Sequence, residues 1–225
     1  MPYVNLALIG ASVLVFIYEL TLPLPDINRF FVDYGVIPAQ LLDWAKHPSG
    51  LEEPMTVLSS AFIHGGWLHL AGNMLYLWVF GDNVEDALGH VKYALFYLVS
   101  AVGAVALQVA VDSQSVVPMV GASGAISGVL GAYVVLYAGA RIEIIIPWLW
   151  FLGTFRVPAV LLIGFWFILQ LMSGIATIGT ATAASEGVAV WAHVGGFITG
   201  LALMVVLRPL ARRPARVRRR EIDMW

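Results

Sequence analysis

No cysteine occurs anywhere in the 225 residues. Disulfides, thiolate nucleophiles and thiolate metal sites are thereby excluded, and any nucleophile must be a hydroxyl. Charge is scarce as well: Asp, Glu, Lys and Arg make up 12% of the chain, against 60% hydrophobic residues and a mean hydropathy of +0.86. A soluble domain holds roughly 45–50% apolar residues, so this composition belongs to an integral membrane protein. The sequence also lacks a nucleotide-binding loop, a cofactor fingerprint and a metal cage, and no cofactor is expected. His64, His69 and His193 invite a metal reading. However, five residues separate the first two and turn them to different helix faces, and no Asp, Glu or Cys lies at helical spacing nearby.

What the chain does contain is six apolar stretches, at about 4–22, 57–80, 91–111, 121–140, 157–177 and 189–207. Each is near the ~20 residues that cross a ~30 Å hydrocarbon core. The expected fold is an all-α membrane protein, a bundle of six transmembrane helices with a long external first loop. A membrane domain over 1–207 is followed by a basic tail over 208–225. The first stretch has neither a charged leader nor a small-residue cleavage site, so it is kept in the mature fold. Its abrupt start at Met1-Pro2-Tyr3 is compatible with a missing segment before it.

Six spans put both termini on one side. Arg208, Arg212, Arg213, Arg216, Arg218, Arg219 and Arg220 share that side with Lys92, Arg141 and Arg156, while Arg29 and Lys46 alone fall in the connection 23–56. The positive-inside rule makes the basic face cytoplasmic and the long connection external. The tail reads as a topology anchor against anionic lipid, not as a nucleic-acid contact. In the long loop, Phe30, Phe31, Leu41, Leu42 and Trp44 suggest short amphipathic elements at the interface. The expected location is a prokaryotic cell membrane, crossed several times, with both termini cytoplasmic.

Polar groups inside the spans carry the functional signal. Ser123 and His193 stand in apolar surroundings about seventy residues apart, and His69 and Asn73 stand in the second stretch. At membrane depth such groups must face protein or water, because burial without a partner costs roughly 2–7 kcal/mol. Counting ~1.5 Å per residue from the cytoplasmic ends puts His69 about 20 Å, Ser123 about 27 Å and His193 about 22 Å up, one layer of the outer half. Asn73 lies one turn below His69 on the same face. Gly124-xxx-Gly128 and Gly196-xxx-Gly200 are small-residue stripes that allow close helix packing; facing each other, they bring Ser123 and His193 within reach. His64 reads as a rim residue or a structural hydrogen bond, His47 and His90 as solvated loop residues, and Glu19 as exposed near the interface.

Three segments together carry a resemblance: His64-Gly65-Gly66-Trp67-Leu68-His69-Leu70-Ala71-Gly72-Asn73, Gly121-Ala122-Ser123-Gly124-Ala125, and Ala192-His193-Val194-Gly195-Gly196 with Gly200. With Phe80-Gly81-Asp82-Asn83-Val84-Glu85 they resemble, in order and spacing, the rhomboid intramembrane serine proteases. The resemblance implies that Ser123 is the nucleophile and His193 the general base and later acid, a dyad without a carboxylate. It also implies that His69, Asn73 and the Ser123 amide form the oxyanion hole. The residues agree: Glu186 is the acid nearest His193 and lies in a loop, and the start of a helix leaves amides unpaired. Histidine's ordinary titration close to neutrality suits the proton exchange. The implied partners are transmembrane protein substrates and the lipid bilayer.

One departure stands out. Many members carry an aromatic residue one turn after the nucleophile, stacked on the imidazole, and here that position is Ser127. Its hydroxyl is expected to bond an i−4 carbonyl, which leaves orientation of His193 to packing at Gly196 and Gly200. A Trp-Arg pair known from the first loop of some members is also absent. The connection from Asp112 to Pro118 leaves room for a water-filled cavity above the fourth helix. Phe165, Trp166 and Phe167 suggest a lateral opening beside the fifth span, and the segment Ile175 to Val190 a mobile cap. Substrates are expected to unwind at helix-breaking residues, with small residues before the cut. The alternative is a non-proteolytic rhomboid-like binder of transmembrane helices; a solute transporter is more distant, since paired repeats and an ionisable relay are lacking.

Overall fold

The computed structural model describes residues 1–148, 151–177 and 189–212 and is mostly helical. Most of the expected cap between Ile175 and Val190, including Glu186, and the arginines of the tail beyond Arg212 lie outside the described residues.

Among the described residues, three helices are long and apolar enough to cross a membrane: α7 (His90–Val111), α9 (Ala159–Thr177) and α10 (Val190–Leu207). In lipid such a segment must satisfy its own backbone, which is why a continuous apolar run becomes a helix. Two more apolar helices are shorter, α1 (Tyr3–Glu19) with 17 residues and α8 (Ser123–Tyr137) with 15. At ~1.5 Å per residue α8 covers only about 22 Å, less than a full hydrocarbon core. The second apolar stretch departs most from expectation. Its first part is α4 (Glu52–Ser59) and a 3-10 turn at Ser60–Phe62. The long helix starts only at Trp67, running as α5 (Trp67–Tyr76), a π-helical turn (Leu77–Gly81) and α6 (Asp82–Leu88). Hydropathy ended this element at the charged residues beyond Gly81; the backbone continues to Gly89, whose φ of 79° provides the helix stop.

The π turn has an identifiable cause. Asn5 of α1 is buried and donates from Nδ2 to the Leu77 carbonyl at 2.9 Å, taking up an acceptor that the looser turn frees. A Cβ at Gly81 would collide with the Asn5 side chain, so glycine is required there by space. Tyr93 donates to Asn5 Oδ1 at 2.9 Å, and the buried Glu85 accepts from the Val4 and Asn5 amides at 3.0 and 2.7 Å. A carboxylate thus covers the unpaired amides at the start of α1 from eighty positions away. Glu85 also pairs with His90, which is exposed, as expected, but opens α7 instead of lying in a loop.

Helices α7, α8 and α10 form the tightest part of the bundle. The glycine stripes meet backbone to backbone: a Cβ on Gly196 would strike the Gly124 carbonyl, and one on Gly200 the Gly128 carbonyl. The third partner was not foreseen. Ala104 packs on Gly124 and Ser100 on Gly128, so α7 brings its own small residues to the seam. Toward the Glu85 end the space is filled by Leu77, Phe80, Tyr93, Val129, Tyr133 and Met204.

The all-α expectation is corrected by an antiparallel hairpin, β1 (Arg141–Trp148) and β2 (Phe151–Pro158), in register from Arg141 opposite Pro158 to Trp148 opposite Phe151. A segment assigned to a loop by its two arginines contains Ile142 and the run Ile144-Ile145-Ile146, and β-branched residues favour extended backbone. The long first connection holds two helices, α2 (Leu24–Tyr34) and α3 (Pro38–Lys46), before α4. It is pinned over the start of α8 by a bridge between Val36 and Met119 and by the Ala39 amide on the Ser115 carbonyl at 3.1 Å.

Candidate active site

The site is built where three chain segments change direction. After the bridge at Met119 the backbone turns at Gly121, whose φ of 122° is open to glycine and strained for other residues, and whose amide donates to the Ser60 carbonyl at 2.8 Å. A Cβ there would lie 2.6 Å from His69 Nε2, so the imidazole of His69 rests directly on this turn. Two residues on, Ser123 is the first residue of α8.

The structure brings Ser123 and His193 together. The Oγ of Ser123 is 2.8 Å from Nε2 of His193, which lies in the first turn of α10. That turn is held by Gln108 of α7, buried, whose Oε1 accepts from the Ala192 amide at 3.1 Å. The other imidazole nitrogen, Nδ1, is 2.8 Å from Oε1 of Gln170 on α9. The ring of Trp166, one turn earlier on α9, stands 6.1 Å from the imidazole at 43°. Packing at Gly196 and Gly200 was expected to orient His193; polar contacts also do so. Gln170 went unread, although an amide within the apolar run 159–172 was a visible signal.

A cavity of about 620 Å³ lies over this pair, lined by Leu68, His69, Asn73, Trp166, Ser123 and His193 among others. Asn73 is buried and its Nδ2 has no partner among the described residues, an arrangement that costs about 1–3 kcal/mol and calls for a reason. Ser127 bonds the Ser123 carbonyl at 2.7 Å, the i−4 contact expected of it. Of the three aromatics on α9, Trp166 faces the site, Phe167 stacks on Phe197 at 4.3 Å and Phe165 is exposed.

The structure decides between the two readings of His64 and corrects that of Glu19. His64 is fully buried, with Nδ1 3.1 Å from the Phe62 carbonyl and its ring against that of His69; of the two earlier readings, the structural one holds. Glu19 is buried as well, where exposure was expected. Its Oε1 accepts from the His64 amide at 3.1 Å, fixing the turn that precedes α5. The turn Ser60–Phe62 and α5, packed on α1, enclose a group that linear position placed at an interface. Among the described residues, no three His, Asp or Glu side chains form a metal-binding group.

The Rhomboid domain family model matches residues 51–210, a stretch that includes every residue of this site. The chain belongs to the rhomboid family. Members of this family are generally intramembrane serine proteases acting on membrane proteins within the bilayer. Among curated relatives, the RHOMBOID-like protein 6, mitochondrial, of Arabidopsis thaliana is 30% identical over 166 residues, covering 74% of this chain and 47% of its own length. RHOMBOID-like protein 4 of the same plant is 32% identical over 170 residues, 75% of this chain and 38% of its own. Rhomboid protein 1, mitochondrial, of Saccharomyces cerevisiae is 30% identical over 141 residues, 60% and 37%. This chain therefore spans less than half the length of these rhomboid relatives.

The relatives correct the expected location. They are eukaryotic, and two are mitochondrial, which points to an organelle membrane of a eukaryotic cell and away from a prokaryotic cell membrane. The assignment of both termini to a cytoplasm falls with it. Hydropathy and arginine placement report that a bilayer is crossed and which loops share a side; neither says which membrane it is.

Proposed function

We propose that this rhomboid is an intramembrane serine endopeptidase that cleaves transmembrane segments in a water-filled cavity of a six-span bundle. The observation that carries the reading is the 2.8 Å contact between Ser123 Oγ and His193 Nε2 at the floor of a cavity that also holds His69 and Asn73. In the first half of the reaction Ser123 gives its proton to Nε2 and attacks the scissile carbonyl carbon. The resulting imidazolium returns that proton to the leaving amine as the peptide bond breaks. Water, deprotonated by the same nitrogen, then attacks the acyl carbon; the ester bond to Ser123 breaks, Oγ takes the proton back from the imidazolium, and the new carboxyl end is freed. The negative oxygen of each tetrahedral intermediate is held by Asn73 Nδ2, His69 and the Ser123 amide. This role gives the unpartnered Nδ2 of Asn73 its reason.

Substrate reaches the site laterally, beside α9. In support, only 17% of α9 is buried within the protein against 39% of α7 and of α10, and Phe165 faces outward. A protein that only binds and escorts transmembrane helices needs neither a hydroxyl poised on an imidazole nor an unpaired donor beside it. The test is cleavage of a reporter transmembrane segment by the purified chain in liposomes. The parent cuts, and Ser123→Ala and His193→Ala do not; continued cutting by Ser123→Ala would overturn the reading.

A further inference from the structure

We infer that Gln170 is a positioning residue for the catalytic imidazole, a neutral stand-in for the carboxylate that a two-residue site lacks. The inference rests on the protease reading. Its ground is the 2.8 Å separation between Gln170 Oε1 and His193 Nδ1, matched by the 2.8 Å contact on the opposite side of the same ring, Nε2 to Ser123 Oγ. A carbonyl oxygen can only accept. Nδ1 must therefore carry the proton, which leaves Nε2 a bare lone pair facing the serine hydroxyl. This is the one neutral tautomer that can take the Ser123 proton.

The same contact fixes the ring's rotation. Ser127 supplies no aromatic platform, and its hydroxyl is spent on the Ser123 carbonyl at 2.7 Å. Trp166 and Gln170 are four residues apart and so share one face of α9. Trp166 supplies an aromatic wall at 6.1 Å and Gln170 the acceptor, so α9 performs the orienting task that packing within α10 alone does not. When the imidazole becomes a cation during the reaction, the amide oxygen still accepts from Nδ1, and no buried carboxylate has to be sustained in the apolar span.

Two substitutions separate an acceptor from mere bulk. Gln170→Met preserves length and apolar packing without an acceptor; Gln170→Glu preserves an acceptor oxygen. Cleavage of the reporter segment, with kcat and KM measured separately, is accompanied by the rate at which a fluorophosphonate labels Ser123 and by thermal unfolding in detergent. For Gln170→Met, kcat and the labelling rate fall about 10- to 100-fold while KM stays within about twofold and unfolding is unchanged. Gln170→Glu recovers most of that loss. Parental kcat and labelling in Gln170→Met would overturn the inference, as would an equal loss in both variants at parental stability. Failure of the protease reading looks different: the parent itself neither cuts nor is labelled, or Ser123→Ala still cuts.

Discussion

Asn73 shows what a single residue contributes. A buried amide without a partner among the described residues is a cost to folding, and the proposed oxyanion in the cavity would offset it. Asn73→Ala should therefore lower kcat by about 10²–10³, equivalent to about 2.7–4 kcal/mol of transition-state stabilisation, with little change in KM. Steady-state cleavage of the reporter segment checks this, and a loss confined to KM would assign Asn73 to substrate binding. At this scale much was legible from sequence. Ser123, His193, His69 and Asn73 are polar groups at matching depth in apolar stretches, and one layer of a bundle gathers them in space. Glu19 was misjudged because a residue at the linear end of a span can still be enclosed by the chain that follows it. Gln170 was missed because its importance comes from a contact across helices that no spacing within α9 announces.

Among the elements, the seam of α7, α8 and α10 holds the serine and histidine at one separation. Gly196 lies one turn below His193 and touches the backbone at Gly124, next to Ser123, so any side chain there acts on the serine–histidine contact. Gly196→Val is expected to prevent stable folding or to abolish cleavage. Gly164→Ala on α9, where an added Cβ meets open space, should change neither thermal unfolding nor cleavage by more than about twofold. Parental stability and activity in Gly196→Val would mean that the seam is looser than its backbone contacts indicate. The stripes on α8 and α10 were readable as small residues at four-residue spacing. The matching Ser100 and Ala104 of α7 were not, since they sit unremarkably in a long apolar helix. The hairpin from Arg141 to Pro158 was read as a loop because two arginines drew the eye from the isoleucines between them.

For the whole molecule, the lack of cysteine becomes an experimental asset, because one introduced thiol reports one position. Gln114 precedes α8 and Gly139 follows it; both are exposed. In a six-span bundle Gln114→Cys and Gly139→Cys lie on opposite faces, and a membrane-impermeant maleimide added to sealed vesicles should label one and not the other. Labelling of both from one side would contradict the topology. Hydropathy made the membrane setting plain, while only the rhomboid relatives spoke against a prokaryotic cell membrane. The central claim, that Ser123 and His193 cut peptide bonds inside the bilayer, is tested most directly by cleavage of a reporter transmembrane segment by purified parent, Ser123→Ala and His193→Ala in liposomes. Cutting by the parent, with both variants folded and below about one-thousandth of its rate, is the predicted result. An inactive parent that still binds the segment, or a Ser123→Ala variant that still cuts, would contradict it.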